Sequence, residues 1–233
     1  MKTAIITGGT GGLGRALVPL LIAQDFRLGI TYLIPEEAEA LEAQIAPDPD
    51  QVFLRRVDSS DFDALTAFVD DCAARFESID ALVALVGGWA GGTDIEDTDD
   101  VRFDRMLDLN LRSAFYAVRA VLPLLRQTGT GRIVTVGSRA AIDNPAGQAA
   151  FNVAKAGVVS LTKTLANELR GTEITANSLL PSVIDTHATR QAMPYADYVD
   201  WPTPDEIAAV IAFMLSDGAG VMNGATVPVY GNT

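Results

Sequence analysis

Histidine and cysteine each occur once in this chain of 233 residues. A lone Cys72 cannot close an internal disulfide, and the chain offers no Cys/His spacing for zinc. Positive charge is scarce as well: 17 basic residues against 30 acidic ones leave a net charge of −13. A phosphate backbone needs a basic face, so the balance argues against a nucleic-acid partner. It argues equally against an anionic membrane surface. No apolar run approaches the ~18 residues of a spanning helix. The opening "MKTAIITGG" has no signal-peptide core of useful length and no cleavage site. The expectation is a soluble, cytoplasmic protein whose acidic surface serves solubility. Any phosphate on a ligand must then be held by local dipoles.

Apolar content is ordinary for a globular protein, at 48%, and the length suffices for one large α/β domain over 1–233 with a full core. Strand-like and helical patterns alternate from end to end. Strands are expected at 3–7, 28–33, 51–57, 81–86, 132–136, 174–180 and 226–229, and helices at 13–21, 36–45, 62–76, 101–125, 151–169 and 204–215. The stretch between 181 and 204 carries four prolines and reads as irregular. Alternation of this kind means βαβ units. It implies a Rossmann-type, doubly wound parallel sheet of about seven strands with helices on both faces.

The first strand runs straight into "TGGTGGLG" at 7–14, which opens the first helix. Gly8 and Gly12 let the backbone turn and approach a diphosphate, and Gly14 lets the helix pack closely on the strand. Free N–H groups and the helix dipole then attract the phosphates. Further along, Phe151 and Lys155 stand four apart in "AFNVAKAG", which puts them on one face of a helix.

The TGxxxGxG spacing resembles the short-chain dehydrogenase/reductase family, and the resemblance runs along nearly the whole chain. It implies an NAD(P)H-dependent oxidoreductase, with a small-molecule substrate and a homodimer or homotetramer as the assembly. Thr7, Gly8, Gly9, Thr10, Gly12, Leu13 and Gly14 match the family's diphosphate loop. Asp58, followed by Ser59, resembles the acid that hydrogen-bonds adenine; it also reads as a cap ahead of the helix at Asp61. Val86, at the end of the fourth strand, and Gly87 and Gly88 just after it match positions along the cofactor. Asn110 matches an asparagine that anchors a water leading to the lysine. Ser138 stands thirteen residues before Phe151, the family's serine-to-tyrosine spacing, and so matches the residue that orients the acceptor. Lys155 matches the nicotinamide-ribose ligand. Pro181, Val183 and Thr186 match the segment beside the nicotinamide, with Thr186 on its carboxamide.

Three positions depart from the pattern. Phe151 occupies the place of the tyrosine that gives a proton to the acceptor, so the usual acid/base hydroxyl is missing. It reads either as adaptation to an acceptor that needs little acid assistance or as an inactivating Tyr→Phe substitution, and the retention of Ser138, Asn110 and Lys155 favours the latter. His187, Tyr195 and Tyr198 are candidate substitute acids, with Met193, Trp201 and Pro202 as lid contacts. The second departure is "ALVGGWAGG" at 84–92, which with "LLPSVIDT" and "MPYADYVDWPTP" resembles the dihydropteridine reductase branch. Trp89 there suits stacking on a flat ring, and equally suits covering the sheet edge. The third is the end of the second strand, where Tyr32 and Leu33 stand in place of the acid that selects NAD and the arginine that accepts the 2′-phosphate of NADP. The missing acid inclines the expectation to NADPH, while Glu36 and Glu37 just beyond count against it. The alternative from another class is a non-catalytic nucleotide-binding or scaffold protein.

Overall fold

The computed structural model describes residues 1–232. Its centre is a seven-stranded sheet in the order β3-β2-β1-β4-β5-β6-β7, with every neighbouring pair parallel. The strands are β1 (Thr3–Thr7), β2 (Arg27–Tyr32), β3 (Val52–Arg56), β4 (Ala81–Ala84), β5 (Thr130–Val136), β6 (Glu173–Pro181) and β7 (Thr226–Val229). The principal helices are α1 (Gly12–Ala23), α2 (Pro35–Ile45), α3 (Phe62–Phe76), α4 (Asp100–Leu107), α5 (Ser113–Thr128), α6 (Ala140–Asp143), α7 (Ala149–Glu168), α8 (His187–Ala192) and α9 (Pro204–Leu215).

Successive residues of a strand point to opposite faces, and the strands here feed two cores. Ile5, Leu82, Ile133 and Ala176 pack with α3, α5 and α7 through Phe68, Val121 and Val158. Ala4, Ile6, Val83 and Val134 pack on the opposite face with α1, α2 and α9 through Leu17, Leu41, Ile207 and Ile211. A sheet covered on both sides needs near-continuous apolar strands, and β1 and β4 are buried at every position. Each fully buried large side chain contributes roughly 1.5–3 kcal/mol. Strand order reverses between β1 and β4. Their carboxyl ends therefore open a crevice at the topological switch point, where ligands of such sheets bind.

The expected strands and principal helices are present, although β2 ends at Tyr32 and leaves Leu33 outside it, α6 is unexpected, and four further differences stand out. First, the helix expected over 101–125 begins at Asp100 and is interrupted by a π-turn at Asp108–Arg112 that separates α4 from α5. Second, β4 stops at Ala84, so Val86 lies beyond the strand. Leu85 N–H still donates to the Thr7 carbonyl, and further on the Asn110 side chain pairs with both the N–H and the carbonyl of Gly88. Third, the proline-bearing stretch is not wholly irregular: Thr186 caps α8 by accepting from Thr189 N–H. Fourth, β3 ends at Arg56 and leaves Val57 outside it, while β5 starts two residues early, at Thr130.

Candidate active site

The glycine turn after β1 is shaped by close backbone approach. Gly8 has φ +70°, and a Cβ there would lie 2.9 Å from Val86 Cγ2 and 3.2 Å from Val86 N. Any other residue would be strained and would push β1 away from the chain leaving β4. The turn is stitched to β2 by Gly8 N–H donating to Thr31 Oγ1 at 3.1 Å and Gly9 N–H donating to the Thr31 carbonyl at 3.2 Å. Helix α1 starts at Gly12 after Gly11, which has no side chain to cap it, so its first N–H groups take no hydrogen bond from a capping side chain. That is a cradle an anion can fill. Thr186 closes its far side, for a Cβ on Gly12 would lie 2.9 Å from Thr186 Cγ2.

A second convergence forms around Gly87. A Cβ there would lie 2.8 Å from Asn110 Oδ1 and 3.0 Å from Lys155 Nζ, so three separate elements meet at one residue without a side chain. Asn110 is buried in the π-turn. It accepts from Gly88 N–H at 3.1 Å and donates to the carbonyls of Gly88 at 2.9 Å and Met106 at 3.1 Å. The π-turn places the amide between its own helix, at the Met106 carbonyl, and the chain beyond β4, at Gly88. Its two donors are engaged on main-chain carbonyls, and its oxygen keeps a lone pair for a further donor.

Helix α7 carries the central pair. It is anchored on β5 by buried hydroxyls, Thr162 Oγ1 lying 2.7 Å from Thr135 Oγ1. One turn apart, as the spacing requires, Phe151 and Lys155 face the same side, and Nζ lies 5.8 Å from the centroid of the Phe151 ring. Lys155 donates to the Val136 carbonyl at 2.9 Å and is 5% exposed. Burial lowers its pKa from 10.5 to about 8. The Phe151 ring packs with Met106, Ala140 and Ala150, flanked by Ala90 and Leu109. Ser138, two residues beyond β5, accepts from Ala140 N–H at 3.1 Å just ahead of α6; its own hydrogen remains available to donate.

The rim has features the sequence did not reveal. Trp89 is 61% exposed, and its indole N–H donates to Gln148 Oε1. Gly92 and Thr93 donate their N–H groups to the Gly147 carbonyl, so the 87–93 loop is zipped to the chain entering α7. Asp58 is exposed and makes a tight turn, accepting from Ser60 N–H and Ser60 Oγ; those bonds hold its carboxyl below the usual range. Asp61, not Asp58, caps α3, while Ser59 is buried. Tyr32 is half-buried at the end of β2. Pro181 ends β6, and Val183 is exposed just beyond it. Of the candidate substitute acids, Tyr198 donates its hydroxyl to the Met193 carbonyl at 3.0 Å and packs edge-on against Trp201. Its proton is thereby engaged within the segment. Tyr195 is fully exposed, and His187 is exposed beside Gln191.

The family profile described as short chain dehydrogenase matches residues 2–196, and the chain belongs to that family. Among its relatives, levodione reductase of Leifsonia aquatica is 31% identical over 99% of this chain and 93% of its own length. The NAD(+)-dependent 2-dehydro-3-deoxy-L-rhamnonate dehydrogenase of a Sphingomonas species is 29% identical over 99% of this chain and 94% of its own length. A crystal structure of levodione reductase superposes with a TM-score of 0.89 at 31% identity, covering 99% of this chain and 96% of that one. The Rossmann-type α/β fold expected from the alternation of elements is thus the fold of the family.

Proposed function

We propose that this chain binds a nicotinamide dinucleotide across the switch point and positions it to pass hydride to a carbonyl, imine or quinonoid acceptor. The observation that carries the reading is the convergence of Asn110, Lys155 and Gly87 behind an uncapped glycine turn. The residues fit the cofactor. Thr7, Gly8, Gly9, Thr10, Gly12, Leu13 and Gly14 would cradle the diphosphate, and Asp58 and Ser59 would border the adenine. Lys155 would hold the nicotinamide ribose. Val86, Gly87, Gly88, Pro181 and Val183 would line the cofactor, and Thr186 would meet the carboxamide. When bound, the dinucleotide supplies a hydride at C4 of its nicotinamide.

The protein supplies position and protons. Ser138 keeps a hydroxyl hydrogen to aim at the acceptor. Lys155 presents a charged donor at neutral pH, held by the Val136 carbonyl. Phe151 supplies shape only, since its ring has no proton to give. Trp89, fixed by Gln148, offers an exposed indole at the mouth where a flat acceptor would stack. The acceptors this site suits best are therefore those needing little acid assistance.

Adding the missing hydroxyl tests the reading. Phe151→Tyr places an acid one helical turn from Lys155, and acid catalysis of this kind is worth roughly 10²–10⁴-fold. Turnover of ketones with NADH or with NADPH should rise by that order in the variant, while imines and quinonoid compounds, which need little acid assistance, should gain much less. The other reading, favoured by Phe151 alone, is a nucleotide-binding protein without catalysis. It expects dinucleotide binding in both forms and turnover in neither.

A further inference from the structure

The mouth of the site holds a hydrogen-bond donor with no partner of its own. Gln148 stands at the N-terminal boundary of α7, where a side chain would ordinarily cap the helix, yet it makes no capping bond. Its Oε1 accepts the Trp89 indole N–H instead. An indole nitrogen only donates, so the amide turns its oxygen to the indole and its NH2 away. No group among the described residues accepts from that NH2. Gln148 is half-buried and lies three residues before Phe151, a spacing that puts the two on one side of a helix.

We propose that Gln148 recognises the acceptor, its amide N–H donating to a carbonyl oxygen that lies beside the bond being reduced. The inference rests on the oxidoreductase reading above and names its substrate class: flat ring ketones with a second carbonyl next to the first. Ser138 keeps one hydroxyl hydrogen to donate and Gln148 an NH2, while the Phe151 ring has none. A donor that loses its water to an incoming ligand and gains no partner weakens binding. A ketone with one oxygen satisfies one of these two residues and leaves the other unpaired. A dicarbonyl satisfies both.

A purely structural role would have Gln148 hold the 87–93 loop in place. The main chain already does so. Gly92 and Thr93 donate to the Gly147 carbonyl at 2.7 and 3.1 Å, and the Pro145 carbonyl takes Asn152 Nδ2 at 2.9 Å. The indole and the glutamine are fitted together over Gly91. A Cβ there would lie 2.5 Å from Trp89 Cζ2 and 3.2 Å from Gln148 Cβ. The side-chain pair is thus fixed in one arrangement on a loop that stands without it.

The test reads binding without turnover. Calorimetry follows N-methylisatin and 1-indanone onto the full chain saturated with oxidised dinucleotide, which has no hydride to give. Both are flat fused-ring ketones, and only the first has a second carbonyl beside the ketone. N-methylisatin should bind about tenfold more tightly, the worth of one good hydrogen bond. Gln148→Glu keeps an oxygen for the indole and loses the N–H; Gln148→Met loses both without adding charge. In each variant the preference should fall to within about twofold, with the affinities for 1-indanone and for dinucleotide unchanged and circular dichroism unaltered. A full chain that prefers 1-indanone, shows no preference or binds neither compound overturns the assignment. So does a preference that survives in either variant, or an equal weakening of both compounds, which is what a loosened loop would give. Each of these leaves the cofactor reading standing, whereas failure of the full chain to bind any dinucleotide overturns both.

Discussion

Lys155 is an ammonium that the fold holds almost out of contact with water, and its energetic consequence is calculable. Its pKa falls from 10.5 to about 8, which costs the folded state roughly 3 kcal/mol while both states carry the proton. That destabilisation is complete below pH 8. Between about 8 and 10.5 the unfolded chain binds a proton that the folded chain has released, so stability from this group rises with pH and levels off above that window. Lys155→Met removes the charge and leaves the Val136 carbonyl without its donor, a loss of about 1 kcal/mol. The variant should therefore be more stable by about 2 kcal/mol in urea titrations at pH 7, with the gap closing toward pH 10. A gap of the same size at both values would show that the ammonium is not strained as described. The same variant should lose dinucleotide affinity, since a buried charge kept at the expense of stability is expected where it serves binding.

At the scale of elements, glycine at position 29 tests how tightly helix and sheet are joined. Gly29 lies mid-strand in β2, where glycine weakens a strand and alanine would ordinarily help. Here a Cβ would lie 2.5 Å from Cys72 Sγ on α3 and 2.8 Å from Ile5 Cδ1. Gly29→Ala should destabilise by about 1–3 kcal/mol through overpacking, and thermal unfolding reads this directly; a neutral or raised Tm would mean that α3 can slide outward. The same close approach explains which elements were legible in the sequence. β1, β4 and α7 declare themselves through local patterns, an unbroken apolar run or an i, i+4 ladder, and the glycine turn through its place between strand and helix. The π-turn at 108–112 does not, because it exists to aim Asn110 at Gly88, and "LDLNLRSAF" carries no local mark of that contact. Helix α8 was hidden by the surrounding prolines, although Thr186 is a residue type that caps helix N-termini. Phe151 with Lys155 was legible because one helix carries both. Thr10 with Glu37, and Trp89 with Gln148, were not, since each pair joins segments that only the sheet brings together.

The molecule as a whole sets acidic repulsion against exposed apolar surface. The net charge of −13 keeps copies apart at low ionic strength. Yet Val101 and Phe103 on α4, Phe115 on α5 and Val153 on α7 are all at least a third exposed. Large apolar side chains scattered singly on a surface mean little, whereas several on neighbouring helices mark a contact, and α4 and α7 pack directly on each other. Two such faces brought together would bury apolar area worth about 25 cal/mol per Å², while charge repulsion at the rim would be screened beyond about 10 Å in 0.1 M salt. Association should therefore strengthen with added salt, opposite to an assembly held by ion pairs. Light scattering on the eluting protein should give a mass of two or four times 24.6 kDa at moderate salt, with Phe103→Glu and Phe115→Glu together shifting it toward the single chain. A single-chain mass at every salt concentration would remove the homo-oligomer from the account, and a complex that dissociates as salt is added would replace apolar burial with ion pairing as its cause.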